Sequence, residues 1–207
     1  MRTGKNYTLL VTELQAFLNN MPRLIMDGYT FTVSGTLDEQ LAIYDFCGCG
    51  SIHIKAAERG GCLFRKGIRV SNCGCENVTL QNLAFSNPDA ASHNDCEVQA
   101  LGHQSIYLLN CDFNGNQKGT AIEIGNGMTA RALNCTVKNY SHAALTEYDG
   151  FLVVSCENTE ATSGNLCGAR TYHGGIIQLG PGTDPMLGGT YFTKNGGLIV
   201  KPNGTLA

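Results

Sequence analysis

Acidic side chains are the residues of this sequence whose types and spacing suit acid–base chemistry, and the candidates are Asp112, Glu123, Glu147, Asp149 and Glu157. Acid–base cleavage of a glycan needs two carboxyl groups, about 5 Å apart for retention or about 6.5 to 9.5 Å apart for inversion. Carboxylates at equivalent positions of neighbouring repeats would come this close. Asp112 is equivalent to Glu157 two repeats later, but Thr136 interrupts that series. The alternative, a solvated acidic surface, is the interpretation that we favour for these five residues.

Two Cys-Gly-Cys sequences suggest a metal site, because four thiolates are a common zinc ligand set. They supply Cys47, Cys49, Cys73 and Cys75. The two pairs are one repeat apart, so stacked turn residues explain them equally well. We therefore predict no metal and no cofactor. The chain shows no export signal, which favours reduced thiols at all ten cysteines, although stacked neighbours would form a disulfide where their geometry permits.

An internal repeat in the sequence predicts where the acidic and cysteine residues lie relative to one another. Four segments align without gaps: 77–85, 105–113, 129–137 and 150–158. Apolar residues alternate within each segment, which is typical of strands with one buried face. One inward position is Leu83 in the first segment and cysteine in the others, at Cys111, Cys135 and Cys156. Free cysteine at such a position behaves as a small apolar side chain.

An asparagine lies between the two halves of the repeat, at Asn82, Asn110 and Asn134. Asparagine tolerates the left-handed conformation that a sharp turn between strands requires. Stacked asparagine amides also hydrogen-bond to one another along the stack. We predict a structural ladder at these three positions. A further apolar pair about 12 residues before each asparagine, such as Ile122 with Ile124, supplies a third strand.

The sequence therefore predicts an all-β fold, a right-handed parallel β-helix of five or six coils with three strands each. An antiparallel sandwich or barrel of short strands is the alternative. It is disfavoured because hairpin folds do not usually repeat one inward residue at a fixed position. We expect the coils to occupy residues 41–173, after an N-terminal cap at 1–40 and before glycine-rich strands at 174–207 that form a cap or a subunit contact.

The expected cap contains a short amphipathic helix at about residues 12–20. Thr12 and Gln15 have the spacing of a capping box, and Leu14, Phe17 and Leu18 fall on one helical face. Segments 24–26 and 29–33 are predicted as the first strands. Such a helix would cover the open apolar end of the first coil.

Composition excludes several functions. The net charge is −3 and charged residues make up 15% of the chain, so no basic surface for nucleic acid is expected. No apolar run approaches the length of a membrane span, and we predict no membrane insertion. The five histidines are scattered, and we expect them in loops or at the surface.

Two passages resemble a known family. Asn77-Val-Thr-Leu-Gln-Asn-Leu-Ala-Phe-Ser-Asn87 is similar to the coil repeat of pectate-lyase-like β-helices. The Thr12–Leu18 helix followed by Met21-Pro22 and by Ile43-Tyr-Asp-Phe-Cys-Gly-Cys-Gly-Ser-Ile-His-Ile54 resembles β-helical tail proteins of phages and prophages of Gram-positive gut bacteria. The resemblance spans residues 8 to 160. The chain is shorter than the larger members and has no obvious N-terminal virion-anchoring domain.

This resemblance implies a structural or receptor-binding component of a phage tail: a spike, fibre or baseplate appendage. It implies a homotrimer, other tail or baseplate proteins as partners, host surface glycan as a ligand, and a location in the virion after synthesis in the bacterial cytoplasm. Glycan contact is expected through loops 86–97 and 114–120 or through the C-terminal strands. The alternative is a polysaccharide lyase or glycoside hydrolase. Tyr172-His-Gly-Gly175 is faintly similar to the His-Gly element of polygalacturonases, but the accompanying elements are missing. A bacterial surface adhesin is disfavoured by the lack of an export signal.

Overall fold

The computed structural model describes residues 4–102, 104–156, 161–181, 183–184 and 187–207. These residues form one helix, α1 (Val11–Asn20), and a long series of short strands. The strands are β1 (Lys5–Leu10), β2 (Tyr29–Leu37), β3 (Leu41–Tyr44), β4 (Ile52–Lys55), β5 (Cys62–Phe64), β6 (Ile68–Ser71), β7 (Val78–Gln81), β8 (Ala84–Phe85), β9 (Cys96–Leu101), β10 (Ser105–Leu109), β11 (Asp112–Asn114), β12 (Thr120–Gly125), β13 (Thr129–Lys138), β14 (His142–Thr146), β15 (Phe151–Cys156), β16 (Thr162–Ser163), β17 (Cys167–Thr171), β18 (Ile176–Leu179), β19 (Thr190–Thr193) and β20 (Leu198–Val200).

The strands stack in parallel as a β-solenoid of about eight turns. A seven-stranded sheet runs in the order β3, β6, β9, β12, β14, β17, β19, and a 13-stranded sheet includes the series β2, β4, β7, β10, β13, β15, β18, β20. The expected parallel β-helix is confirmed at this level. The expected count of five or six coils is wrong, because β2 and β3 at one end and β18, β19 and β20 at the other also stack on the series.

Alternation of buried and exposed side chains explains why these segments form strands. In β10, for example, Ile106 and Leu108 are buried and the residues between them are partly exposed. Inward residues of neighbouring coils stack on one another, as three phenylalanines show: ring centroids lie 5.6 Å apart for Phe64 and Phe85 and 4.7 Å apart for Phe85 and Phe113. Cys111, Cys135 and Cys156 are buried in the same interior, and every cysteine of the chain is a free thiol.

Asn82, Asn110 and Asn134 occupy one turn of successive coils, with φ of 60°, 53° and 56°. The Asn110 amide donates to Oδ1 of Asn82 at 3.4 Å, and the Asn134 amide donates to Oδ1 of Asn110 at 2.8 Å. The lowest amide in the series, that of Asn82, donates to the carbonyl of Ala56. The three side chains therefore form a continuous hydrogen-bonded column beside the strands.

A second turn also needs left-handed residues, in every coil from β3 to β19. In each coil a residue with positive φ follows the end of the strand, either directly or after one further residue. These residues are Asp45, Asn72, Gly102, Asn126, Tyr148, His173 and Asn195. Four members are asparagine or aspartate and one is glycine, the types that accept this conformation most readily. Tyr148 and His173 are the exceptions, and both lie near the candidate site.

The N-terminal segment differs in detail from the prediction. Helix α1 begins at Val11, and the predicted Thr12–Gln15 capping box is wrong, because the Glu13 carboxylate instead accepts the backbone N–H of Leu10 at 3.0 Å. Gln15 bonds to both backbone groups of Ala42, which attaches the helix to β3. The first strand is β1, which precedes the helix and pairs with β2; residues 24–26 contribute only an isolated bridge from Leu24 to Cys47.

The C-terminal segment continues the stack. β18 pairs with β15, and β20 pairs with β18, in the same parallel register as the earlier coils. Beyond β20 the chain reverses, so that the N–H of Ala207 bonds to the carbonyl of Ile199 at 2.9 Å and Val200 bridges Leu206 in antiparallel fashion. This returning tail covers part of the free edge of β20. Helix α1 is too short and too polar to cross a membrane, and no other described segment is a membrane-spanning helix.

Candidate functional site

The outer face of the seven-stranded sheet carries the candidate site. Its strands are in register, so one outward residue of each coil lies beside the next, in the series Ala42, Arg69, Gln99, Glu123, Leu145, Arg170 and Phe192. The series contains a carboxylate at Glu123 and an aromatic ring at Phe192, and guanidinium groups at Arg69 and Arg170. Chemistry-bearing residues are therefore concentrated on the coils from β9 to β19.

Two neighbouring cavities lie on this face. One has a volume of about 170 Å³ and is lined by His93, Asn94, Glu123, His142, Leu145, Glu147, Arg170 and Tyr172. The other has a volume of about 460 Å³ and is lined by Gln40, Lys66, Asn87, Asp89, Asn94, Asp95 and Cys96. They share Asn94, which belongs to the loop between β8 and β9. The larger cavity lies beside β3, β6 and β9 and the smaller one beside β12, β14 and β17, so they follow one another along the stack; we call the two cavities together the coil groove.

Glu123 and Glu147 are the two candidate carboxylates that the fold brings together. Glu123 lies in the middle of β12 and Glu147 directly follows β14, one coil further on, and both line the smaller cavity. Gly125 packs closely between their neighbours, because a Cβ there would come within 3.0 Å of the Leu101 side chain and 3.3 Å of the Glu147 carbonyl. Burial, and then the charge of Glu123, raise the pKa of Glu147 above its usual value. Glu147 is thus more ready to hold a proton than an exposed glutamate.

Glu123 has a defined partner in Cys96. The thiol donates to Oε2 of the carboxylate at 2.6 Å, across one coil. Burial and the neighbouring Glu123 raise the pKa of the Cys96 thiol far above its ordinary value. A thiol is a poor nucleophile when its thiolate is disfavoured. Cys96 therefore positions the carboxylate and does not act as a nucleophile in this arrangement.

Arg170 and His142 form the cationic side of the coil groove. Nη1 of Arg170 donates to Nε2 of His142 at 2.7 Å, and the ring of His93 meets that of His142 edge-on with centroids 5.4 Å apart. Burial, followed by the charge of Arg170, lowers the pKa of His142 to about 4. His142 is thus neutral near pH 7, with its remaining proton on Nδ1. Nδ1 of His142 and Nε of Arg170 are buried and have no hydrogen-bond partner among the residues that the structure describes.

Aromatic rings border the C-terminal end of the coil groove. The guanidinium of Arg170 lies 4.7 Å from the centroid of Tyr172 and 5.1 Å from that of Phe192, and the two rings themselves are in contact with centroids 5.6 Å apart. Tyr148 stacks on His173 with centroids 4.9 Å apart and planes 5° from parallel. Tyr148 and Phe192 expose 51% and 45% of their surfaces, which places apolar ring faces in contact with solvent beside a polar cavity.

The remaining acidic candidates do not join the groove. Asp112 lies on a different face, where it pairs with Arg59 at 2.8 Å and accepts the hydroxyl of Thr136 at 2.8 Å. Asp149 occupies a left-handed turn beside His173, with φ of 62°. Glu157 lies outside the described residues. The Asp112 carboxylate is therefore occupied by structural contacts, and the Asp149 backbone holds a turn.

Of the four cysteines proposed as weak metal candidates, Cys73 and Cys75 interact with each other, and the thiols also contact other groups. The thiol of Cys73 contacts the carbonyl of Ser71 at 3.3 Å, that of Cys75 contacts Oε1 of Gln104 at 3.5 Å, and that of Cys49 contacts the carbonyl of Met26 at 3.7 Å. Cys47 is exposed. Among the residues that the structure describes, no three His, Cys, Asp or Glu side chains are arranged to hold a metal ion.

No family model, curated protein or solved structure matches this chain. The interpretation of the coil groove therefore depends on its own geometry.

Sequence reasoning found Glu123 and Glu147 but missed the residues around them. The expectation that the histidines lie in loops or at the surface is wrong for His142, which begins β14 and exposes only 5% of its surface. Arg170 and Tyr172 gave no sequence signal because they follow the fourth and last aligned segment, 150–158. Continuing the register to β17 would have placed Arg170 in the same series as Glu123, two coils further on.

The coil groove suits a neutral or mixed-charge ligand that is long and polar. Carboxylates accept hydroxyl hydrogen bonds, Arg170 and the histidines supply donors, and exposed rings offer flat apolar surface. A cavity of about 170 Å³ holds roughly the volume of five or six water molecules, at about 30 Å³ each, which is also the size of a single sugar ring.

Proposed function

We propose that this protein is a structural and receptor-binding component of a phage tail or tail-like particle, and that it contacts host surface glycan through the coil groove. The choice of a glycan as the ligand depends on one observation: the polar coil groove runs along the stacking direction and ends at solvent-exposed aromatic rings. A chain of sugars laid along the coils would place hydroxyl groups on Glu123 and Arg170. Its apolar ring faces would lie on Tyr172 and Phe192.

The residues Tyr148 and His173, at equivalent turns of adjacent coils, support a glycan as the ligand. The equivalent turn positions in other coils are mostly asparagine, aspartate or glycine, whereas these two adjacent coils carry rings at φ of 48° and 47°. Bulky residues in the left-handed region are strained and occur where function requires them. A stacked pair of rings is of little use to the coil itself, because neither ring lies in the core. It does extend the apolar platform at the end of the groove.

A binding measurement tests the proposal. Wild-type protein and the variants Tyr172→Ala and Phe192→Ala are titrated with purified cell-wall and capsular polysaccharides of Gram-positive gut bacteria. We expect saturable binding by the wild type and at least a tenfold weaker Kd in each variant, as for aromatic residues central to an interface. Tyr44→Ala is the matched control, since Tyr44 occupies the same outward position as Tyr172 on a distant coil. Absence of binding across the panel, or equal loss with Tyr44→Ala, contradicts the proposal.

A second function, glycan cleavage, is favoured by the raised pKa of Glu147 beside Glu123. A carboxyl group with a raised pKa is suited to protonate a leaving oxygen, while a second carboxylate beside it takes a proton from the attacking water. In this alternative Glu147 is the acid and Glu123 is the base. The water adds to the anomeric carbon, and the departing oxygen leaves with the proton of Glu147.

Product detection distinguishes cleavage from binding. A polysaccharide that binds is incubated with the protein, and new reducing ends and unsaturated sugars are measured. Cleavage requires that Glu147→Gln and Glu123→Gln lower kcat at least a hundredfold, while Asp112→Asn, on another face, leaves it unchanged. Binding without product from the wild type contradicts this second function and leaves the receptor-binding proposal intact.

The proposal also includes the particle and the finer features of the coil. We place the protein in a virion, as a homotrimer attached to other tail or baseplate proteins, on the basis of the resemblance of its N-terminal passages. Right-handed winding is favoured by the strong preference of parallel crossovers for that hand. Three strands per coil are supported by the succession β10, β11, β12 before β13 returns beside β10. Electron microscopy of particles labelled with an antibody to this chain tests the location; unlabelled particles contradict it.

A further inference from the structure

The smaller cavity of the coil groove contains charged groups of opposite sign that do not pair with one another. Arg170, Glu123 and Glu147 all line this cavity of about 170 Å³. Within the part of the chain that the structure describes, neither Arg170 nor Glu147 has an ion-pair partner. The Oε2 atom of Glu123 accepts a hydrogen bond from the thiol of Cys96 and not from a cation. The cavity therefore keeps one guanidinium and two carboxyl groups without mutual neutralisation.

The register of the strands keeps the guanidinium and the carboxylates apart. Glu123 and Arg170 occupy the same outward position of β12 and β17, and Leu145 of β14 lies between them. Their backbones are two coil spacings apart, roughly 10 Å. Leu145 is largely buried and lines the same cavity, so an apolar side chain stands between the two charged ones. Backbone pairing, and not the attraction of the charges, therefore fixes this arrangement.

Uncharged groups hold the guanidinium of Arg170. It donates to Nε2 of His142 and lies over the rings of Tyr172 and Phe192. Nε of Arg170 and Nδ1 of His142 are buried without an acceptor among the described residues. A buried N–H without an acceptor costs free energy, which a ligand oxygen at that position recovers. Because a guanidinium binds carboxylate and phosphate more strongly than neutral acceptors, this side of the cavity suits an acid group.

The carboxyl groups of Glu123 and Glu147 suit a cation. They belong to adjacent coils, and burial followed by the charge of Glu123 raises the pKa of Glu147. An ammonium group beside both carboxylates offsets their repulsion, because an opposite charge favours the ionised form of each. The thiol of Cys96 occupies one oxygen of Glu123, and the other oxygen is left for a ligand. This side of the cavity therefore suits an amino group.

We propose that the smaller cavity binds a sugar residue that carries both an acid group and an amino group, with the acid group on Arg170 and the ammonium beside Glu123 and Glu147. This names the ligand class of the glycan proposed above and in that respect rests on that proposal. A neutral sugar would desolvate the three charged groups without a counter-charge. A purely acidic sugar is repelled by the two carboxylates, and a purely basic one leaves the guanidinium unpaired. The cavity of about 170 Å³ admits one sugar ring, so both groups belong to the same residue.

Monosaccharides of defined charge test the ligand class on the wild-type protein. The doubly charged probes are glucosamine 6-phosphate and glucosaminuronic acid, and the singly charged probes are glucose 6-phosphate and glucosamine. At least one doubly charged probe should bind about tenfold more tightly than either singly charged one, and the better of the two identifies the acid group as phosphate or carboxylate. The imidazole NMR signals of His142 should shift as that probe binds. Absence of binding, no preference for the doubly charged probes, or binding that leaves His142 unshifted overturns the inference.

Two variants remove the charges one at a time. Arg170→Met should weaken the binding of the preferred doubly charged probe about tenfold and leave glucosamine binding unchanged. Glu147→Gln should weaken the same probe and should not weaken glucose 6-phosphate. The matched controls are Arg131→Met, on the outer face of β13 in the other sheet, and Glu39→Gln, exposed between β2 and β3. Equal losses in a variant and its control overturn the inference, and circular dichroism checks that each variant retains its β structure.

Polysaccharide binding on the same samples separates this inference from the glycan proposal. N-acetylation of a polysaccharide that carries both groups removes the ammonium and should weaken its binding about tenfold. A wild type that binds neutral polysaccharides as tightly as doubly charged ones overturns only the ligand class. Selective binding of the doubly charged monosaccharides without binding of any polysaccharide supports the chemistry of the cavity and contradicts the receptor-binding proposal.

Discussion

Arg170 donates a hydrogen bond from Nη1 to Nε2 of His142, and this contact decides which form of the imidazole the coil groove contains. A guanidinium has donors only, so Nε2 must carry the lone pair and Nδ1 the proton. The pKa of His142 is lowered to about 4 by burial first and by Arg170 second. The fixed positive charge of the smaller cavity at neutral pH therefore lies on Arg170 and not on His142.

Replacing Arg170 with methionine should raise the pKa of His142, but not to the ordinary value near 6.5, because burial is the larger cause and remains. The measurement is an NMR titration of the imidazole nitrogens in the wild type and in Arg170→Met. In the wild type the folded pKa lies below the unfolded one, so the contribution of this residue to stability is complete above pH 6.5 and falls as the pH drops towards 4. A wild-type imidazole that titrates near pH 6.5 contradicts this account.

Glu97 should make the protein less stable at alkaline pH. Its carboxyl exposes 1% of its surface and accepts the N–H of Asn87 at 2.7 Å and the hydroxyl of Tyr140 at 3.4 Å, while Oε2 has no partner. Burial raises the pKa of Glu97 to about 7 in spite of these bonds. Because the folded pKa exceeds the unfolded value, the contribution of Glu97 to stability is complete below pH 4.5 and is lost as the pH rises through 7.

Glu97→Gln removes the ionisation and should remove this decrease. At pH 8 the variant should equal or exceed the wild type, by up to about 3 kcal/mol in the free energy of unfolding. Urea unfolding at pH 5 and pH 8 provides the measurement. A variant that is equally less stable than the wild type at both pH values would show that the carboxylate is accommodated in its charged form.

Asn110 should contribute to stability in two separable ways. Its amide bonds to Asn82 and Asn134, and its φ is 53°. Asn110→Gly loses the amide contacts but keeps the conformation, and should cost about 1 to 2 kcal/mol. Asn110→Ala adds the strain of a left-handed alanine, about 1 to 2 kcal/mol more. The free energy of unfolding in urea measures both, and equal values for the two variants contradict a role for the turn conformation.

Tyr148→Asn should separate stability from binding. Asparagine relieves the left-handed strain by about 1 kcal/mol, while the lost stacking on His173 removes a similar amount. The unfolding free energy should therefore change by less than about 1 kcal/mol, yet glycan affinity should fall about tenfold. Thermal unfolding and polysaccharide titration on one preparation make the comparison. Unchanged affinity would show that the ring pair at 148 and 173 lies outside the ligand site.

The repeat made the fold predictable and hid part of the site. Asn82, Asn110 and Asn134 are conspicuous because asparagine recurs at equal positions, and their alternation with apolar residues indicates strands. The second turn column was missed because its members range from Asp45 to Tyr148, although they share one backbone conformation. Residues that share only a backbone conformation differ in type, so a sequence alignment does not reveal them.

The coil count was too low for a related reason. Strand β2 is nine residues long and serves two sheet positions, and strands β18 to β20 lie between glycine pairs without the asparagine of the central repeat. Parallel pairing needs only backbone groups, so coils form where the sequence motif is absent. The neighbours of Glu123 depend on that register, and sequence alone does not place His142 and Arg170 beside it.

Parallel stacking has a mechanical consequence. Each strand is bonded only to the coils on either side, so a force that pulls the two chain ends apart loads one coil at a time at the ends of the stack. A coil of about 24 residues, such as that from Asn110 to Asn134, releases roughly 80 Å of extended chain when it detaches. Under tension the molecule should lengthen in discrete steps of nearly equal size, one for each coil that detaches, and it should resist bending until the first coil detaches. A rod with this response transmits a pull along its length while losing only its outermost layer.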